Sequence, residues 1–386
     1  MIIRLLYFLL IVSCIFDSSD LILGLKVPIF VLLIFYSVIS GKFNIGNNSL
    51  FKYVFVFSVF LPLISFSLGY VTNIENYDNP NLFGAIKPYL FLFLSFSFQS
   101  DRRLQDDVIK ILAYTLLALS IAIICLLLLY LSELVPWEIL YEFGDKYVLY
   151  SVGERSFGAF SINRVYFHSS PMLVFALCYF ISDFIKQHQN KSLYIALFIS
   201  VSMLLSGTRN NMIMGIAPYL ILFYIHGERR EKTRILFIAF LGAVYLVSQE
   251  FVMSLFDKSE ASNSTKLGFL QDYEIAFSNI RTWIFGDGLD SYFFTKHRGR
   301  VNNSELTYFE LFRRFGLFGG SMYLYLMIMP SIKLFKTNEY KWLGLAYGLY
   351  LIMIISNPFF FSSNGMIILS IVLVVCFRTS LLKRRM

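Results

Sequence analysis

Charge is scarce in this sequence, and so are the residues that most often carry catalysis. Only 15% of the 386 residues are Asp, Glu, Lys or Arg, against 57% hydrophobic, and the mean hydropathy is +0.65. A soluble domain carries roughly 25% charged residues, so a water-soluble globule is excluded. Cysteine is limited to Cys14, Cys125, Cys178 and Cys376, each inside an apolar run where it behaves as a small hydrophobe. There is no C-x-x-C, hence no disulfide framework and no cysteine metal set. H-E-x-x-H, G-x-S-x-G, P-loop and kinase signatures are all missing, and the lone G-x-G of "GDGLD" is too weak to imply a nucleotide. No metal and no cofactor is expected. The net charge of +8 is scattered through connections between apolar runs rather than gathered in one patch, which sets nucleic acid aside.

What the chain has in quantity is long apolar stretches. "ILAYTLLALSIAIICLLLLYL" alone is long enough for a hydrocarbon core of roughly 30 Å, which takes about 20 helical residues. Apolar runs and their polar breaks predict an all-α integral membrane protein of about twelve helices: 2–16, 21–40, 50–70, 82–98, 108–131, 166–183, 192–206, 211–226, 235–249, 306–330, 341–357 and 359–378. The first run follows a lone Arg4 with no small-x-small cleavage site before "DSSD", so it is read as helix one.

Alternate connections carry the basic residues: Lys42 and Lys52, "DRRLQDDVIK", "KQHQNK", "HGERREKTR", "KLFKTNEYK" and the tail "KRRM". The intervening "DSSD", "TNIENYDNPN" and "SNPFFFSSN" carry none. The positive-inside rule therefore predicts a multi-pass protein with both termini in the cytoplasm. Two outward connections, 132–165 and 250–305, are much longer than the rest and hold Trp137, Trp283 and "GDGLDSY", so they are expected to fold over the outer mouth of one domain spanning 1–386, with short interfacial helices. No internal repeat and no matched pair of broken helices is visible, which argues against a secondary transporter.

Cations on the outward side need a reason. Arg155, Arg164 and Arg281 lie in the long connections, Arg209 in a short turn, "LLSGTRNNMIMG", and Arg313 and Arg314 near the start of a helix. For Arg209 two readings stand: a residue that snorkels to the headgroups, or a fork that grips a phosphate. For the pair, Thr307 and Glu310 have capping-box spacing and Glu310 with Arg314 is an i, i+4 pair. Capping does not explain two arginines a turn further into an apolar helix, where a lipid-facing charge costs about 2.5–3.5 kcal/mol at mid-bilayer. They are expected to face the bundle interior or a wet cavity. Outward carboxylates available as a base are Glu154, Asp287, Asp290, Glu305 and Glu310; His168 and His297 read as interfacial and loop residues.

The order "SGTRNN", then "WIFGDGLDSYF", then "NNSELTYFELFRRFGLFGG" resembles the O-antigen polymerase and ligase superfamily over residues 200–320. There a turn S-G-x-R, a G-x-G-x-x-x-F/Y segment and a (H/D/E)-N-x-x-L…(E/R)-x-G-x-x-G segment occur in that order, in chains of about twelve helices. The resemblance implies a GT-C-like, metal-independent glycosyltransferase acting at the periplasmic face of the bacterial inner membrane on undecaprenyl-pyrophosphate-linked oligosaccharide. It also implies a chain-length regulator and a flippase as partners. Arg209 matches the turn arginine. Asn302 stands before Asn303 where ligases carry a histidine, which favours the Wzy-type polymerases over the ligases. On this reading Arg209 with one or more of Arg155, Arg164, Arg281, Arg313 and Arg314 would hold pyrophosphate, Arg281 on charge and side of the membrane alone, and an outer carboxylate, Glu154 or Glu310 among others, would be the base. A lipid-linked oligosaccharide flippase is the alternative from another class; it would keep its charges within the helices and its loops short.

Overall fold

The computed structural model describes residues 1–78, 81–157, 160–226, 261–296, 298–356 and 358–385. The span expected at 235–249, Lys258 and the rest of 250–260, and His297 lie outside the described residues.

In chain order the elements are α1 (Ile2–Phe16), α2 (Lys26–Ile39), α3 (Asn48–Thr72), α4 (Leu82–Phe98), α5 (Arg102–Leu131), α6 (Trp137–Lys146), β1 (Tyr150–Phe157), β2 (Phe160–Phe167), α7 (Leu173–Gln187), α8 (Asn190–Leu205), α9 (Arg209–Met214) and α10 (Ala217–His226). There follow α11 (Ala261–Ser278), α12 (Ile280–Phe285), β3 (Phe293–Thr295), β4 (Gly299–Val301), α13 (Thr307–Phe335), α14 (Lys341–Met353) and α15 (Ser363–Arg385). The chain is mostly helical, and α3, α5 and α13 are long and apolar enough to cross a membrane. Their outer faces fit that role, since Tyr114, Leu128, Phe318 and Tyr325 are all exposed. Helices that turn large apolar groups outward need a solvent other than water.

The few strands form two antiparallel hairpins, β1–β2 and β3–β4, in the connections between helices. The first corrects the expected helix over 166–183, because Tyr166 and Phe167 close β2 and α7 begins only at Leu173. The reason is period two. Tyr150, Val152, Val165 and Phe167 share one face of the hairpin and are buried, with Tyr150 opposite Phe167 and Val152 opposite Val165.

By contacts the chain divides into two compact units, Met1–Phe35 with Arg103–Phe256 and Leu334–Met353, and Tyr36–Arg102 with Asp257–Lys333 and Ile354–Met386. In the first, α7 is the hub: α8, α10 and α14 pack on it, and its residues 173–178 are fully buried. In the second, the helices are interrupted at three places among the described residues. A π-turn, Val56–Phe60, interrupts α3; a 3-10 turn, Phe91–Leu94, follows Pro88 in α4; and α13 breaks at Gly316 (φ 65°, ψ −175°). Such interruptions expose carbonyls that hydrocarbon cannot satisfy. Buried hydroxyls do so instead: Tyr323 donates to the Phe57 carbonyl at 2.5 Å and Ser370 to that of Phe91 at 3.1 Å.

Candidate functional site

The arginines singled out in the sequence fall into two groups, one in each unit.

In the first unit the ladder of β1 with β2 sets Gly153 opposite Arg164 and Arg155 opposite Ile162. Alternation therefore places Arg155 and Arg164 diagonally on one face, with Tyr166 beyond them. His168 extends the same face, since its N–H continues the ladder to the Leu149 carbonyl at 3.1 Å and its ring meets that of Tyr166 edge-on at 5.9 Å. The stem of Arg164 lies on Gly207 of the "SGTRNN" turn, whose φ of +64° and lack of Cβ leave room for it: a Cβ there would stand 2.6 Å from the Arg164 Cβ.

The rest of that turn is self-bracing. Thr208 caps α9 by accepting from the Asn211 N–H at 3.3 Å, Asn211 donates to Ser206 at 2.8 Å, and Asn210 donates to the Met353 carbonyl at 3.2 Å. Four polar residues thus hold the turn, and Arg209 stands half-buried at the start of α9. Burial and the neighbouring Arg155 charge both lower the Arg164 pKa. Its Nε is buried with no hydrogen-bond acceptor among the described residues. Two like charges thus share one face, and one of them keeps an unused donor. Glu154 is exposed opposite Asn163, on the other face of the hairpin from Arg155 and Arg164.

In the second unit the charges have a different arrangement. Arg313 is 0% exposed and all three of its nitrogens are engaged: Nε and Nη2 donate to Glu310 at 3.0 and 2.7 Å, Nη1 to the Ser291 hydroxyl at 2.8 Å, and Nη2 to the Ser291 carbonyl at 3.1 Å. Its guanidinium also stacks over Phe293, 4.4 Å from the ring centre. Glu310, 1% exposed, accepts further from Arg314 Nε at 2.5 Å and from the Tyr273 hydroxyl at 2.7 Å. Asp287 completes the cluster, 3.7 Å from Arg313 and accepting from Thr282 at 2.7 Å; burial pushes its carboxyl up, and Arg313 partly opposes this.

Arg313, expected to hold pyrophosphate, thus has each of its three nitrogens engaged within the protein, and it ties Ser291 and Asn302 to α13. Glu310 likewise is engaged by two guanidiniums and a tyrosine rather than capping α13 or standing free as a base. Asn302 contributes only its carbonyl, to Arg314 Nη2 at 2.7 Å and to Arg313 at 3.4 Å, while the Asn302 and Asn303 side chains are exposed. Arg281 reaches Asn73 at 3.0 Å. Of this group Arg314 keeps some solvent access, at 12%.

"GDG" also acquires a role. Across the break at Gly316, the Arg313 and Arg314 carbonyls accept from the N–H groups of Asp287 at 2.6 Å and Gly288 at 3.2 Å, and Ser65 donates to the second at 2.7 Å. The segment mends a broken helix instead of cradling a phosphate.

Sequence reasoning passed over His168 as an arginine-face residue, although the alternation in "NRVYFH" contains that signal. Comparison with known proteins adds nothing to this geometry: no family model, no curated protein and no solved structure matches the chain.

Proposed function

We propose that this chain is an O-antigen polymerase, a metal-independent glycosyltransferase of the bacterial inner membrane that joins undecaprenyl-pyrophosphate-linked oligosaccharides at the periplasmic face, with both termini cytoplasmic. The observation that carries the reading is the meeting of Arg155 and Arg164 on one hairpin face with the "SGTR" turn, through the Arg164 stem on Gly207. Three arginines in one unit suit a pyrophosphate leaving group, because planar forks bind phosphate oxygens in pairs and stabilise the charge as it departs. In the reaction the bond from the donor's anomeric carbon to pyrophosphate breaks, a bond to the acceptor hydroxyl forms, and the hydroxyl proton passes to a base. His168 shares the arginine face and burial lowers its pKa, so it enters neutral, as a base must. Glu154, on the opposite face, is less well placed.

The test is a lipopolysaccharide gel from a strain lacking this gene, complemented with the native chain or with Arg164→Ala or Arg209→Ala. A polymerase leaves core bearing a single repeat unit, with the ladder restored by the native chain and not by either variant. Loss of every repeat unit from the core would indicate a ligase or a flippase. Periplasmic exposure of the accumulated lipid-linked glycan would then separate those two.

A further inference from the structure

In the first unit α1 and α5 run side by side with an open groove between them. Its charged end holds Arg4, Asp107 and Lys110; Phe8, Val12 and Phe16 continue one wall at four-residue spacing, and Ala118 lies at the far end. The stripe from Arg4 to Phe16 is about 18 Å long at 1.5 Å per residue, close to the roughly 15 Å of one hydrocarbon leaflet. The groove encloses about 590 Å³. Spread over that length this is roughly 6 Å across, too narrow for a second helix of about 10–12 Å with its side chains and wide enough for one hydrocarbon chain.

The walls are mainly apolar between the charged end and Ala118: Tyr114 lines them with its ring, and the Thr115 hydroxyl donates to the Ile111 carbonyl at 2.8 Å. The charged end is unbalanced. Arg4 pairs with Asp107 at 2.7 Å, which leaves Lys110, exposed at the rim, with no ion pair among the described residues. A neutral headgroup would leave that cation unmatched; an anionic one would match it.

We propose that this groove seats one acyl chain of an anionic phospholipid, with the phosphate at Lys110 and Arg4. The site is separate from the proposed glycan chemistry and stands or falls without it. The full chain, purified in detergent, would be titrated with phosphatidylglycerol or phosphatidylcholine and read by native mass spectrometry. One phosphatidylglycerol per chain should be retained in preference to phosphatidylcholine. Lys110→Gln should weaken that retention about fivefold, the effect of one basic residue near an anionic headgroup. Ala118→Trp, which fills the far end, should abolish it while the thermal midpoint is unchanged. Equal retention of the two lipids, or full retention in Lys110→Gln, would overturn the proposal even if the tryptophan variant failed to fold. A dimer that excess lipid dissociates would overturn it too, identifying a second copy as the occupant.

Discussion

Replacing Arg313 by Met separates a structural guanidinium from a ligand-binding one. The substitution keeps most of the side-chain volume and its contact with Phe293, but removes the guanidinium's own hydrogen bonds to Glu310, Ser291 and Asn302. Glu310 still has Arg314 and Tyr273, and the Ser291 hydroxyl still donates to the Gly288 carbonyl at 2.7 Å. The Ser291 carbonyl loses its donor, and Asp287 keeps the Thr282 hydroxyl but loses its counter-ion, both among buried neighbours. Orphaned buried groups cost about 1–3 kcal/mol each, and breaking a buried pair by removing one partner costs about 3–5 kcal/mol. These overlap, so the expected loss is about 3–5 kcal/mol in total.

Arg314→Met, at a partly exposed site with two fewer acceptors, should cost less. Because membrane proteins often unfold irreversibly, the readout is the half-life of the detergent-solubilised protein at a fixed temperature, with membrane level alongside. The double variant Arg313→Met with Asp287→Asn should recover part of the loss, since the stranded carboxylate is then neutral. Native half-life with loss of activity alone in Arg313→Met would refute the reasoning and return Arg313 to the substrate.

Gly316→Ala should be among the most damaging single changes: a Cβ would stand 2.2 Å from the Ile284 carbonyl, and the backbone conformation itself costs about 1–3 kcal/mol for other residues; membrane yield and thermal midpoint would report it. Gly207→Ala should cost about 1–2 kcal/mol for its φ of +64° and lower activity more than stability, because the new methyl displaces Arg164; kcat with thermal midpoint separates the two effects. His168 supplies a pH dependence. Its folded pKa is depressed below the unfolded value of about 6.5 by burial, so its contribution to stability is present above that pH and is lost as pH falls through the folded value. A thermal midpoint that falls between pH 7 and 5 in the native chain, and falls less in His168→Gln, is the expected result.

Apolar runs made several helices legible almost to the residue, as at Ile2–Phe16 and Asn190–Leu205, because a bilayer demands unbroken apolar length. The same cue failed at 166–172, where a strand of Val, Tyr and Phe joins a helix of similar composition, and hydropathy cannot see the change of period. The i, i+4 spacing of Glu310 with Arg314 announced that pairing. That every nitrogen of Arg313 is engaged was not legible, because two of its acceptors are the main-chain carbonyls of Ser291 and Asn302, which any residue supplies. The break at Gly316 was hidden likewise: "GLFGG" reads equally as a close-packed helix face, and the segment that completes the break is remote in sequence.

That completion bears on how the chain is made. The segment lending its N–H groups to α13 lies upstream of the break, so it has already left the ribosome when Arg313 and Arg314 emerge. The helix never has to enter the membrane ahead of the residues that finish its bonding, and vectorial synthesis gives the interrupted span its partner in the right order.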